Sequence, residues 1–389
     1  MAEWFVERVN LTADQKKASE LPLDGHTLVL GPVGTGKTLV CCHRAAYIFD
    51  QAGGAPHTVR IFVPTDVNLA YMQAGLASLR LDPAAADTMD HWCRAIYREH
   101  ISETLPVVYL DGRVDDTKTR ESVLELLLKR SDLCRRLTHV ILDDAQEYSP
   151  TELHIVRMAA EKVHILLDPE PSFFGIGTPE SAVREIFNVA ARNGTVLNSD
   201  FRCPRSLATL ASQWLDDRHS AEFLSRLQSG TEGEVPVFSL SENQQKELDL
   251  LADIIRLREH MGDRIGILVS QPRLVHRIAG GLAGRRVAVE KAVVADAQNV
   301  FHPPYDFERN TAKITTFEMG RGLTFDVVLL PNLTEDAFAG LSGPQRRFYL
   351  FSGMSRARKW VHFSAVSGLE FDEFKNIKKA AAEGHIILQ

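Results

Sequence analysis

Cysteine is scarce and carries no pattern. There are five, none in a C-x-x-C pair, and Cys41 and Cys42 are adjacent inside a predicted helix. This points away from a zinc ribbon or a disulfide framework and fits a reducing, cytoplasmic setting. Basic excess is also missing: 44 Lys and Arg stand against 51 Asp and Glu, a net charge of −7. The whole-molecule field therefore announces no polyanionic partner, although a local groove can be positive on an acidic protein. No apolar run is long enough to span a bilayer. The opening residues, Met1-Ala2-Glu3-Trp4-Phe5, lack the basic-then-apolar order of a signal peptide, so none is expected. Internal repeats and low-complexity tracts are missing too. What remains is a chain of 389 residues, 44% hydrophobic, with material for two domains that each bury a core.

The most informative stretch is Gly31-Pro32-Val33-Gly34-Thr35-Gly36-Lys37-Thr38, which fits the phosphate-loop pattern G-x-x-x-x-G-K-[ST]. An apolar run, Thr27–Leu30, precedes it and reads as a buried strand. Lys37 to Phe49 follows with no Gly or Pro and reads as a helix. A glycine-rich turn at such a junction aims several backbone N–H groups at one place, and the helix N-terminus adds its positive dipole end. Gly31, Gly34, Thr35 and Gly36 would cradle a polyphosphate. Lys37 would reach the β- and γ-phosphates, and Thr38 would put its hydroxyl on Mg²⁺. ATP and Mg²⁺ are the cofactors this implies.

Short Val/Ile/Leu runs alternate with helical patterns, as expected for parallel strands buried on both faces. Candidate strands in the first half are Thr27–Leu30, Arg60–Val63, His139–Leu142 and Val163–Leu167. In the second half they are Ile265–Val269, Arg285–Val289, Lys313–Thr316, Asp326–Leu330 and Trp360–Phe363. A turn signal at Asn193-Gly194 and a polar stretch at 229–234 mark the middle of the chain. The expected fold class is α/β, with parallel sheets in two domains, 1–197 and 198–389.

Val140-Ile141-Leu142-Asp143-Asp144-Ala145-Gln146 is a strand ending in two acids. Beside a phosphate loop, such a carboxylate is where Mg²⁺ is held. Asp143 would hold the metal, directly or through water, and Asp144 would orient or deprotonate the attacking water. A solvated acidic loop capping a strand is the plainer alternative for the pair by itself.

Further segments resemble the motifs of superfamily 1 helicases of the UvrD/Rep-like group. Leu11-Thr12-Ala13-Asp14-Gln15 resembles the Q motif, which implies that Gln15 reads the adenine edge. Asp143-Asp144-Ala145-Gln146 resembles D-E-x-Q, with Gln146 sensing the γ-phosphate. Leu197-Asn198-Ser199-Asp200-Phe201-Arg202-Cys203 resembles L-x-x-N-Y-R-S, so Phe201 would stack on adenine and Arg202 would contact the γ-phosphate. Thr316 to Asp326 resembles T-x-H-x-x-K-G-L-E-F-D. Leu350 to Ala357 resembles L-Y-V-A-L-T-R-A, with Arg356 as an arginine finger. The resemblance runs from residue 11 to about 364. It implies two RecA-like domains, with Arg202 and Arg356 delivered from the second on closure. Either arginine taken singly would read as a surface salt bridge.

The chain departs from the family pattern chiefly on the DNA side. Asp144 replaces the usual glutamate, one methylene longer. The third motif, Leu167 to Ile176, keeps Asp168 but has Pro171 for the coupling glutamine and Ile176 for the stacking tryptophan. Glu318 stands where histidine is usual and Thr324 where glutamate is usual. Pro64 aligns with an aromatic. Trp92, Phe173 and Phe174 are candidate replacement platforms, although core packing is the commoner role for an aromatic. Thr65, Thr88, Trp92 and Thr316 are the candidate DNA contacts. Only 54 residues separate Thr88 from Asp143 and 113 separate Arg202 from Thr316. That leaves a reduced accessory insertion at 88–138 and a minimal motor core.

The leading expectation is an ATP-dependent translocase or helicase on single-stranded DNA, 3′ to 5′ by resemblance, working with a protein partner such as a nuclease or DNA-binding subunit. A second reading is a nucleotide-gated regulatory subunit that senses DNA and controls an effector. The build is similar to the helicase-like subunit of Gabija-type phage-defence systems. A third is a phosphate-loop ATPase that needs no nucleic acid.

Overall fold

The computed structural model describes residues 5–32, 34–55, 58–106, 108–110, 113–169, 178–198, 203–227, 233–293, 305–307 and 309–389. They fall into two units, one of described residues up to Asn198 and one of those from Cys203 onward.

The first unit carries strands β1 (Thr27–Leu30), β2 (Val59–Val63), β3 (Ala86–Thr88), β4 (Val108–Leu110), β5 (Arg113–Asp115), β6 (Leu137–Leu142), β7 (Ala160–Leu167) and β8 (Gly194–Val196). Its helices are α1 (Ala13–Ser19), α2 (Lys37–Gln51), α3 (Asp66–Ser78), α4 (Met89–His100), α5 (Thr117–Lys129), α6 (Pro150–Ala159) and α7 (Glu180–Phe187). Among the described residues the main sheet runs β3-β2-β6-β7-β1-β8, with every neighbour parallel. Val140, Ile141, Leu142, Val163, Ile165 and Leu167 are fully buried, as strands covered by helices on both faces require. A parallel sheet brings the C-terminal ends of its strands to one edge, and the crevice outside that edge is where open α/β sheets bind ligands. In this sheet that edge receives the residues after β1, β2, β3, β6 and β7.

The stretch 88–138 holds α4, the antiparallel β4–β5 hairpin and α5. Cys93, Val123 and Leu127 seat the two helices on the core. Asp116 accepts two hydrogen bonds from Arg94, at 2.8 and 2.5 Å.

Arg44 ties α1 to the sheet. It lies on α2, is buried, and donates to the carbonyls of Ser19 at 3.2 Å, Leu21, and Pro22 at 2.9 Å. Its Nη2 also faces Nδ1 of His164 at 3.2 Å. That nitrogen must therefore accept, so the His164 proton sits on Nε2 and is donated to Nδ1 of His139 at 2.9 Å. Burial and the nearby Arg44 charge keep His164 well below its usual pKa, and burial lowers His139 to about 4. Both imidazoles are neutral at physiological pH. We expect Arg44→Met to cost about 2–4 kcal/mol of stability, because two buried carbonyls and one part-buried carbonyl lose their donor. A urea midpoint unchanged from wild type would refute the tie.

The second unit carries β9 (Val237–Ser241), β10 (Ile265–Val269), β11 (Val289–Lys291), β12 (Ala312–Thr316), β13 (Phe325–Leu330), β14 (Ala357–Val366) and β15 (Ile387–Leu388). Its helices are α8 (Arg205–Ser212), α9 (Asp217–Ser225), α10 (Gln244–His260), α11 (Pro272–Ala283), α12 (Gly343–Met354) and α13 (Phe374–Ala382). Among the described residues its sheet runs β11-β12-β10-β13-β14-β9-β15, again parallel throughout. Gly266 on β10 has no room for a side chain, since a Cβ would lie 2.3 Å from the Phe325 ring. The expected fold class, α/β with parallel sheets in two units, is the one observed.

One expected strand is displaced. Arg285–Val289 does not form a strand as a whole; β11 begins at Val289. Arg286 takes a left-handed φ of 60°, and the Val287 N–H returns to the Leu282 carbonyl at 3.0 Å. That is a Schellman-type close of α11, and it consumes the residues whose apolar character suggested a strand.

Candidate active site

The phosphate loop is built as its sequence requires. The Gly31 N–H donates to the Leu167 carbonyl on β7 at 3.0 Å, which joins the loop to the neighbouring strand. Gly34 and Gly36 have φ of 91° and 85°, backbone that residues with a Cβ rarely adopt. The Thr35 hydroxyl donates to the Pro32 carbonyl at 2.8 Å and closes the turn. Gly36 is the N-cap of α2, so no N-cap side chain competes with an anion for the first-turn N–H groups.

Lys37 is buried at the start of α2. Its Nζ donates to the Gly31 carbonyl at 2.7 Å and lies 3.4 Å from Asp168 Oδ2 and 3.8 Å from Asp144 Oδ1. Asp168 follows β7, and the two acids of the Asp143-Asp144 pair follow β6, so the sheet itself gathers these groups. Gln146 links them: its Nε2 donates to Asp144 Oδ1 at 3.2 Å, and its Oε1 accepts the Asp168 N–H at 2.9 Å. Asp144 sits in left-handed backbone, φ 48° and ψ 54°.

Asp143 is buried beneath this group. Burial and the adjacent Asp144 push its carboxyl up to about 7, against the opposing effects of a Thr38 hydrogen bond and the Lys37 charge. Its Oδ1 has no hydrogen-bond partner among the described residues. An orphaned, desolvated carboxylate oxygen beside a threonine hydroxyl suits a hard divalent cation, which takes oxygen ligands and completes its shell with water and substrate phosphates. Thr38 and Asp143 therefore fit Mg²⁺.

The remaining expected residues are placed as follows. Gln15 lies on α1 against the loop, its Nε2 donating to the Thr35 carbonyl at 3.1 Å. Thr65 is the N-cap of α3 and Thr88 the N-cap of α4, each accepting a backbone N–H at 3.2 Å. Both stand at the edge that carries the phosphate loop. Trp92 packs edge-on against Phe62, with centroids 5.8 Å apart, as part of the core. In the second unit, Thr316 is buried at the end of β12. Arg356 is buried at the start of β14, its Nε donating to the Ser352 carbonyl at 3.2 Å. Phe201 and Arg202 lie outside the described residues, as do Pro171, Phe173, Phe174 and Ile176. The site residue that motif reading left without a role is Asp168. Its signal was available: a second apolar strand ending in an acid.

Residues 11–132 match the UvrD/REP helicase N-terminal domain family. The chain is similar to Dicer-like protein 1 of Aspergillus clavatus, 22% identical over 274 residues, which covers 65% of this chain and 17% of that protein. Dicer-like protein 1 of Aspergillus terreus is 19% identical over 288 residues, with 67% and 18% covered. That of Neosartorya fischeri is 22% identical over 291 residues, with 71% and 18% covered. The chain thus spans less than a fifth of the length of these curated relatives. Among solved structures it is similar to the C-terminal domain of a possible DNA helicase from Lactobacillus plantarum WCFS1. The identity there is 14% and the TM-score 0.36, over 49% of this chain and 99% of that one.

Proposed function

We propose that this chain, whose residues 11–132 match the UvrD/REP helicase N-terminal domain family, hydrolyses ATP to move along single-stranded DNA within a complex. The observation that carries the proposal is the gathering of Lys37, Asp143, Asp144, Gln146 and Asp168 at one edge of a parallel sheet, next to the phosphate loop.

Phosphoryl transfer needs positioning and charge stabilisation more than covalent help. Gly31, Gly34, Thr35 and Gly36 hold the triphosphate through backbone N–H groups. Lys37 exchanges its loop carbonyl and carboxylate partners for β- and γ-phosphate oxygens. Thr38 and Asp143 would hold Mg²⁺, which would supply charge neutralisation for the transferred phosphoryl group. Asp144, oriented by the Gln146 amide, takes the proton of the attacking water. By resemblance, Arg356, Arg202 and Phe201 would supply the arginine finger, the γ-phosphate contact and the adenine stack.

Two helix N-termini, capped by Thr65 and Thr88, stand at the same sheet edge, a setting suited to backbone phosphates. Asp66 and Asp90 occupy their first turns. With a net charge of −7, this makes for a weak, salt-sensitive grip on DNA. A partner that tethers the motor would raise the effective concentration of strand.

The test is the ATPase rate with and without single-stranded DNA across a salt series. The expected result is stimulation that fades steeply as salt rises. A rate indifferent to DNA at low salt would remove the translocase reading. It would leave either the nucleotide-gated regulatory subunit or the ATPase that needs no nucleic acid.

A further inference from the structure

A threonine at a helix start ordinarily turns its hydroxyl to the free N–H groups of the first turn. Thr178, just before α7, turns its hydroxyl away. Pro179 is the N-cap of that helix, with no side-chain cap. The Thr178 hydroxyl donates instead to the Tyr148 carbonyl at 2.5 Å, and the Thr178 N–H donates to the Gln146 carbonyl at 2.8 Å. Thr178, Gln146 and Tyr148 are all buried.

The turn held in this way is the one that presents the acids. Ala145–Glu147 is a single 3-10 turn, flanked by Asp144 in left-handed backbone and by Tyr148. Two internal bonds close it, from the Glu147 N–H to the Asp144 carbonyl at 2.9 Å and from the Tyr148 N–H to the Ala145 carbonyl at 3.4 Å. Thr178 adds two bonds from outside. Its own position is fixed by α7, which seats Val183 and Phe187 in the core. Gln146 is thereby gripped from two sides. Its side-chain Oε1 accepts the Asp168 N–H at 2.9 Å, and its backbone carbonyl accepts the Thr178 N–H. From that seat its Nε2 donates to Asp144 Oδ1 at 3.2 Å.

We propose that Thr178 is a positioning residue for hydrolysis. It transfers the fixed position of α7 to the turn 145–148, so that Gln146 aims the Asp144 carboxylate at the attacking water. The assignment rests on the ATP-hydrolysing reading above, with Asp144 as the base. Thr178 acts through Asp144 and touches no substrate.

The experiment is steady-state ATP hydrolysis by wild type, Thr178→Val, Thr178→Ser, Asp144→Asn and the double variant Thr178→Val/Asp144→Asn. Valine keeps the branched shape and removes the hydroxyl; serine keeps the hydroxyl. Thr178→Val should lower kcat about tenfold, since a misplacement of 1 Å can cost ~10²-fold. Its KM should stay within about twofold of wild type, and Thr178→Ser should recover most of the rate. In the Asp144→Asn background the valine should cost nothing further, because the group it positions is already gone. Where Thr178→Val does not fold, Thr178→Cys, a weak donor of similar size, carries the same comparison. An equal loss from the valine in both backgrounds would make Thr178 merely structural and overturn the proposal. So would a Thr178→Ser protein as impaired as Thr178→Val. Hydrolysis by wild type with Thr178→Val unaffected would remove the assignment and leave the ATPase reading standing. A wild-type protein that hydrolyses no ATP would sink both.

Discussion

Lys37→Ala should remove nucleotide turnover, by at least ~10³-fold, while the protein still folds. The expectation follows from what surrounds the ammonium. Its Nζ reaches the Gly31 carbonyl of the phosphate loop and stands within ion-pair distance of Asp168 and Asp144. The variant has a second signature. Without the ammonium, Asp143, Asp144 and Asp168 face one another with less to offset their repulsion. The thermal midpoint should therefore fall further below wild type at pH 8 than at pH 6, where Asp143 takes up a proton. Steady-state phosphate release and a pair of melting curves check both. Normal turnover by a well-folded Lys37→Ala protein would end the phosphate-loop reading.

Asp143→Asn should also abolish Mg²⁺-dependent turnover, yet raise the stability of the metal-free protein. The buried carboxyl is pushed up to about 7, against about 3.9 in an unfolded chain. The folded state therefore binds the proton more tightly than the unfolded state does, and stability falls as pH rises from about 4 to about 7. Above pH 7 the charged carboxylate costs on the order of 4 kcal/mol, which an uncharged amide does not incur. The midpoint advantage of Asp143→Asn should be absent at pH 4, grow through pH 6 and level off above pH 7. Adding Mg²⁺ and ATP should stabilise wild type and leave the variant unmoved. A variant less stable than wild type at pH 8 would mean that the Asp143 charge is already compensated.

The strand–loop–helix carrying the phosphate loop was legible because three independent signals coincide in fewer than thirty residues: an apolar run, glycines at fixed spacing and an uninterrupted helix. β1 and β10 fall where the apolar runs place them. Strands at or next to a sheet edge were not legible. β8 is three residues beginning at Gly194 and pairs with β1; its sequence reads as a turn, and only the neighbouring strand makes it extended. β9, Val237–Ser241, hides because it buries serines. Ser239 shares a 3.0 Å hydrogen bond with His362 on β14, a partner 123 residues away that local pattern cannot reveal. The same holds in the site. Asp143 and Asp144 could be read from their place at a strand end. The contact of Asp168 with Lys37 depends on β7 lying beside β1, a matter of topology.

The left-handed backbone at Asp144 changes what its short side chain means. Aspartate and asparagine tolerate that conformation better than most residues with a Cβ, because their side chains can bond locally. Here the local bond is the one from Gln146. Glutamate, though usual in the resembling motif, has no such affinity for the turn and would carry its carboxylate past the amide that now steers it. The missing methylene is thus matched to the bend of the chain. An engineer who lengthened the side chain by itself would have to reshape residues 143–146 as well, and the two changes can be expected to succeed only together.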